Sequence, residues 1–193
     1  MIGPRDEVPV AWWCRSNDRE VFVTVILLRH AKARATAGYG DDLARTLDNE
    51  GLAQAQVLAE VVGGVLARET PIRIVASPAL RCQATVGPLA MRFGIESFED
   101  PRLLEMAPDD ELSELANVAQ TAVGALVLCG HAPALSRLAQ IMTASQGVLV
   151  PAVELALGIA SFASFEFRED SGRRLVALSR YPASDYQRVR IVG

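Results

Sequence analysis

The sequence predicts a three-layer α/β/α sandwich around a largely parallel sheet, closed at one edge by a C-terminal β-hairpin. Two patterns along its 193 residues carry that prediction. Short, β-branched apolar runs alternate with stretches of helical periodicity through most of the chain, as parallel strands and crossover helices do. The tail alternates apolar with polar residues on both sides of a turn, as a hairpin does.

Val21 to Leu28 is a continuous apolar run of strand length, suited to a strand buried on both faces. Polar and glycine-containing sequence follows. A helix is then signalled by Asp48 as cap and by Leu52, Ala55, Leu58, Val62, Val65 and Leu66 at helical spacing. Pro71 closes that region, and Ile72 to Ala76 forms a second strand. Ser77 as cap and Pro78 as first residue open a helix running to about Phe93, which Pro88 is expected to kink or shorten. Glu96 to Phe98 suits a brief edge strand, and Asp110 to about Ala122 a helix. Ala125 to Cys129 is another buried strand, and Pro133 begins a helix reaching about Ala144. Ser161–Arg168 and Arg174–Arg180 form the hairpin around Asp170-Ser171-Gly172. Residues 21–193 are read as one domain. Residues 1–20, with Trp12 and Trp13, are read as an extension that either packs on the domain or stands apart from it.

Half of the residues are hydrophobic and 22% are charged, which fits a soluble globular protein. A net charge of −4 excludes a basic nucleic-acid-binding face while leaving room for a small cationic pocket. Three cysteines lack the spacing of a disulfide framework, and Cys82 and Cys129 read as buried thiols. The first strand is far shorter than the roughly 20 residues of a membrane span, and the first twenty residues lack a signal-peptide core. The expectation is a cytoplasmic protein with no membrane partner.

In parallel sheets, chemistry gathers where strands end and loops lead into helices. Three polar clusters occupy such places: Leu28-Arg29-His30-Ala31-Lys32, Ser77-Pro78-Ala79-Leu80-Arg81, and Cys129-Gly130-His131-Ala132-Pro133. If their strands are parallel neighbours, two arginines and the chain's only two histidines converge. Arginine presents planar, permanently charged donors to phosphate oxygens. One neutral histidine can act as nucleophile, while the other, protonated, donates to the transferring oxygens. Helix N-termini after Ser77 and near Pro133 favour an anion as well. With both histidines employed in this way, no metal ligand set remains.

These residues resemble the histidine phosphatase superfamily, which includes the cofactor-dependent phosphoglycerate mutases. Arg29-His30-Ala31 is similar to its Arg-His-Gly signature. Ser77 to Arg81, with Thr85, resembles its second motif, and Gly130-His131-Ala132-Pro133 its third. Arg45-Thr46-Leu47 with Gly51 and Gln54 resembles its "R-x-L-x-x-x-G-x-x-Q" stretch. The resemblance implies a phosphoglycerate mutase-like fold, a phosphohistidine intermediate on His30, and a phosphoryl pocket of Arg29, Arg81 and His131, with no cofactor. It also implies a general acid at Glu105, with Asp109 and Asp110 as rivals. Ala31 departs from the usual glycine. Lys32 replaces the glutamate usual among the mutases and resembles the small SixA-like phosphohistidine phosphatases.

Only about fifty residues separate Arg81 from His131, without the longer insertion that covers mutase sites. An open pocket admitting a phosphorylated protein is therefore expected. The alternative is a small phosphorylated molecule such as a nucleotide, since Arg29 to Ala33 and Gly40-Asp41-Asp42 also resemble the phosphatase half of MutT-type proteins. No Nudix box, Walker A loop or Cys-x5-Arg loop is present. A non-catalytic phosphate-binding module remains as a third class, to be recognised by loss of His30 or an arginine.

Overall fold

The structure, a computed structural model, describes residues 21–35, 42–169, 172–184, 186 and 188–192. Residues 1–20 with Trp12 and Trp13, the Gly40-Asp41 pair, and Asp170-Ser171 of the expected turn lie outside the described residues.

Strands β1 (Val21–Arg29), β2 (Ile72–Ala76), β3 (Ser97–Glu99), β4 (Gly124–Gly130), β5 (Phe162–Glu169), β6 (Arg173–Tyr181) and β7 (Val189–Val192) form one sheet in the order β3-β2-β4-β1-β5-β6-β7. β3, β2, β4 and β1 are mutually parallel, whereas β5, β6 and β7 add antiparallel. The hairpin thus sits beside β1, and β7, which periodicity did not reveal, lies outside it. At four residues, β7 is too short to display an alternation that can be recognised.

Helices α1 (Asn49–Val65) and α2 (Leu80–Phe93) cover one face of the sheet, and α3 (Asp109–Thr121) and α4 (Ala132–Ala144) cover the other. The strands serve both layers through their period of two. In β1, Val23, Val25 and Leu27 pack with α3 and α4, and Ile26 and Leu28 pack with α1 and α2. All seven residues of β4 are buried, which is why it reads as a purely apolar run.

Helix ends follow local chemistry. The Asp48 carboxylate accepts from Gly51 N at 2.7 Å and caps α1 as its sequence predicts. The buried face of α1 is Gly51, Ala55, Leu58, Ala59 and Val62, which leaves Leu52 half-exposed, one residue off the stripe. α2 starts later than expected, at Leu80, with Ala79 as cap residue; the Ser77 hydroxyl accepts from Ala79 N at 3.3 Å and also lies 3.2 Å from His131 Nε2. Pro88 lies within α2, which nevertheless continues to Phe93. Among the described residues no helix is long and apolar enough to cross a membrane.

Phe165 is wholly buried in the layer between β5 and α3–α4. Phe165→Ala is expected to lower unfolding free energy by about 3–5 kcal/mol in urea denaturation. A loss below about 1 kcal/mol would show that this layer is not packed as described.

Candidate active site

The site lies at the C-terminal ends of β1, β2 and β4, where the parallel order brings the three polar clusters together. β1 and β4 run in register with Arg29 opposite Gly130, so His30 and His131 leave the sheet side by side. Their rings meet edge to face at 5.2 Å between centroids. Arg81 follows from the first turn of α2, and a cavity of about 270 Å³ opens onto Arg29, His30, Arg81 and His131. Lys32, Arg45, Glu105, Pro133 and Ile159 also line it.

His30 is fixed at both ends. Its backbone N–H donates to the Gly130 carbonyl at 3.2 Å, and its own carbonyl accepts from Ala160 N at 3.1 Å. The ring Nδ1 lies 2.8 Å from the Ala31 carbonyl. A carbonyl only accepts, so Nδ1 carries the proton and Nε2 keeps its lone pair. Burial pulls this imidazole down to about 4. The Ala31 carbonyl opposes that shift, and His131, Arg81 and Arg29 reinforce it.

The residues around His30 explain why the sequence motifs contain what they do. Ala31 N donates to the Thr85 hydroxyl at 3.0 Å, and Thr85 donates to the Arg81 carbonyl at 2.6 Å. Lys32 N donates to Gln54 Oε1 at 2.9 Å, and Asp48 N donates to the Lys32 carbonyl at 3.1 Å. A Cβ on Gly51 would stand 1.9 Å from that same carbonyl, so only glycine lets α1 clamp the loop. Gly130 has a similar role: a Cβ there would lie 2.6 Å from the Leu103 carbonyl. Its absence lets Leu103 pack against β4 and carries Glu105 to the cavity. Ala31 is buried at a position that does not require a positive φ, which explains why its methyl is tolerated in place of glycine.

His131 caps α4 and is buried. Arg81 Nη2 donates to its Nδ1 at 3.1 Å, and its Nε2 lies 3.2 Å from the Ser77 hydroxyl. Arginine has no acceptor, so Nδ1 accepts, and the ring proton sits on Nε2, facing Ser77. The sequence reading gave His131 a protonated ring. In this arrangement it is neutral, because a second proton on Nδ1 would confront a donor.

Arg81 is 2% exposed. Asp42, not singled out as a site residue from sequence, holds both terminal nitrogens: Nη1 donates to its carbonyl at 2.6 Å and Nη2 to its carboxylate at 2.7 Å. Burial works against the Asp42 carboxylate, but Arg81 and Arg45 together hold its carboxyl below the usual range. Arg29 Nη1 donates to the Leu157 carbonyl at 2.9 Å. The Nε groups of Arg29 and Arg81 are buried with no hydrogen-bond partner among the described residues. Both arginines line the cavity, where their guanidinium charge favours an oxyanion.

Of the three carboxylates considered as acid, Glu105 lines the cavity, and its charge acts on Arg29. Asp109 is paired with Arg137, and neither it nor Asp110 lines the cavity. Ile159 and Ala160 were not foreseen. Ala160 adopts φ 55°, a left-handed turn without glycine to advertise it. Among the described residues no group of three or more His, Cys, Asp or Glu could hold a metal ion.

The family model of the histidine phosphatase superfamily (branch 1) matches residues 25–140. Among solved structures, a protein assigned as the phosphohistidine phosphatase SixA of Agrobacterium tumefaciens is 26% identical, with TM-score 0.57, over 80% of this chain and 96% of that one. The protein assigned as SixA of Nakamurella multipartitia is 20% identical, with TM-score 0.60, over 83% and 97%. A mycobacterial glucosyl-3-phosphoglycerate phosphatase is 20% identical, with TM-score 0.54, over 80% and 97%. No curated protein sequence matches the chain.

The His30 environment sets a pH behaviour that can be measured. With two histidines in the chain, one substitution assigns both imidazoles by NMR. The His30 ring is expected to titrate at about 4 in the ligand-free protein, so it stays neutral at pH 7 and gains its proton only as the pH falls through that value. A midpoint at or above 6.5 would contradict the buried, cation-flanked setting.

Proposed function

The chain belongs to the histidine phosphatase superfamily and is a phosphate-ester hydrolase; from that premise we propose that it works through a phosphohistidine on His30, with phosphorylated histidine of a protein as its substrate. The observation that carries this reading is the neutral His30, its Nε2 lone pair left free by the Nδ1 contact to Ala31, in a cavity lined by Arg29 and Arg81.

The phosphoryl oxygens are taken by Arg29 and Arg81, whose charge offsets that of the group in transfer. His30 Nε2 attacks phosphorus in line, and the bond from phosphorus to the leaving atom breaks. His131, with its Nδ1 accepting from Arg81 Nη2 and its proton on Nε2, holds that guanidinium at the phosphoryl group. Glu105 gives its proton to an ester leaving group and then activates water. That water attacks the phosphohistidine, releasing phosphate and restoring neutral His30. No step requires a metal or cofactor.

The preference for phosphohistidine rests on access and on bond chemistry. The 49 residues between Arg81 and His131 are taken up mainly by the rest of α2, β3, a short 3₁₀ turn, α3 and β4. The labile P–N bond asks little of an exposed acid such as Glu105. One observation favours a second reading. Arg45 and Lys32 at the cavity wall suit a small ester with another anionic group, such as a nucleotide.

Hydrolysis of an aryl phosphate is expected to persist in chelator, to be blocked by vanadate or tungstate, and to fall at least about 10³-fold in His30→Ala. Full activity in that variant would remove the nucleophile from the scheme. Oxyanion binding without turnover of any substrate would support a phosphate-binding module instead.

Glu105→Gln is expected to slow alkyl ester hydrolysis about 10²-fold and phosphohistidine peptide hydrolysis far less. Equal losses would exclude Glu105 as the acid. In a panel of phosphohistidine peptide, nucleotides and sugar phosphates, a higher kcat/KM for a nucleotide would replace the proposed substrate.

A further inference from the structure

A second polar cavity, also of about 270 Å³, lies away from the active site, where the end of α1 meets the sheet. Val65 and Glu69 close it from the helix side, and Thr24, Ser164, Glu166 and Tyr181 rise from β1, β5 and β6. Arg188, just before β7, completes it. Thr24 precedes His30 along an extended strand by a distance on the order of 20 Å, so this cavity belongs to the opposite end of the sheet.

Ser164 is 1% exposed, and its hydroxyl has no hydrogen-bond partner among the described residues. A buried hydroxyl left unpaired beside a cavity points to something that pairs with it. The charges point the same way. Arg188 Nη2 donates to Glu166 Oε1 at 2.8 Å and its Nε donates to the Ser179 hydroxyl at 2.8 Å, so this cation is committed. Among the described residues, Glu69 receives only the Thr24 hydroxyl, at 3.3 Å. Burial, with Glu166 nearby, pushes its carboxyl above the usual range, which is the mark of a carboxylate lacking a counter-ion.

We infer that this cavity binds a small primary amine in its protonated form, with Glu69 as counter-ion and the Ser164 hydroxyl as a hydrogen-bond acceptor. An ammonium group has three donors and no acceptor, and Glu69, Ser164 and the carboxylate of Glu166 offer the oxygens to receive them. A hard divalent cation fits less well. It asks for about six to eight oxygens, whereas here one of two carboxylates already serves Arg188. A water takes about 30 Å³ of liquid, so the cavity suits a free amine of roughly ten or fewer non-hydrogen atoms rather than a protein segment. The site is independent of the reaction assigned to His30.

The test is calorimetric titration of the full chain with ethanolamine and with 1,4-diaminobutane at neutral pH, with magnesium and calcium chloride as separate arms. Saturable one-site amine binding is expected. Glu69→Gln should weaken it about tenfold or more, and Ser164→Ala several-fold, while aryl phosphatase activity stays at the wild-type level in both. Absence of saturable amine binding overturns the proposal. So does binding of a divalent cation alone, or amine affinity unchanged in the variants. Should Glu69→Gln fail to fold, Ser164→Ala decides by itself, since unchanged affinity there overturns the assignment.

Discussion

The register of β1 against β4 is the constraint on which the rest depends. Arg29 pairs with Gly130, so the residues that follow, His30 and His131, emerge from adjacent strand ends at the same height. A slip of one residue would turn every side chain of a strand to the opposite layer. It would set Val23, Val25 and Leu27 against α1 and α2, and would aim His30 away from His131. Core packing and site assembly are thus enforced by the same ladder. The His30 N–H to Gly130 carbonyl bond continues that ladder one step beyond the strand and into the site.

The surrounding loop contacts then convert placement into chemistry. Thr85, Gln54 and Gly51 hold the backbone of residues 31 and 32 without touching a phosphoryl group. They leave the imidazole of His30 a single orientation, with its proton on Nδ1. In a protein of net charge −4, the arginines form a local exception, and Asp42 anchors Arg81 within it. The pocket is cationic because Glu105 is the one carboxylate among its described lining residues, against Arg29, Lys32, Arg45 and Arg81.

Much of this was legible in the sequence, for physical reasons. Strands buried on both faces appear as unbroken apolar runs, and β1, β2 and β4 each ended on a polar cluster. Glycine and glutamine in the stretch after Arg45 could be matched to a family pattern, although their clamp on Lys32 became evident only in three dimensions. The grip of Asp42 on Arg81 spans residues distant in sequence and leaves no local signature. The same is true of Ala160, whose left-handed turn is imposed by the His30 carbonyl and the Tyr186 hydroxyl rather than by its own preference. Local rules make Ser77 a helix cap, and its hydroxyl does accept from Ala79 N, but its contact with His131, 54 residues away, has no local signature.

The strand order has a consequence for biogenesis. β1 and β2 leave the ribosome before β4, yet they never pair with each other, because β4 lies between them. Both must wait with open edges until β4, buried along its whole length, arrives and joins them. Such long-range pairing is slow compared with helix formation. Nascent chains that end before β4 therefore carry both edges of β1 and one edge of β2 unpaired, and half a pocket. Chaperone capture is expected to concentrate at that stage of synthesis, and catalytic competence to arrive late and all at once.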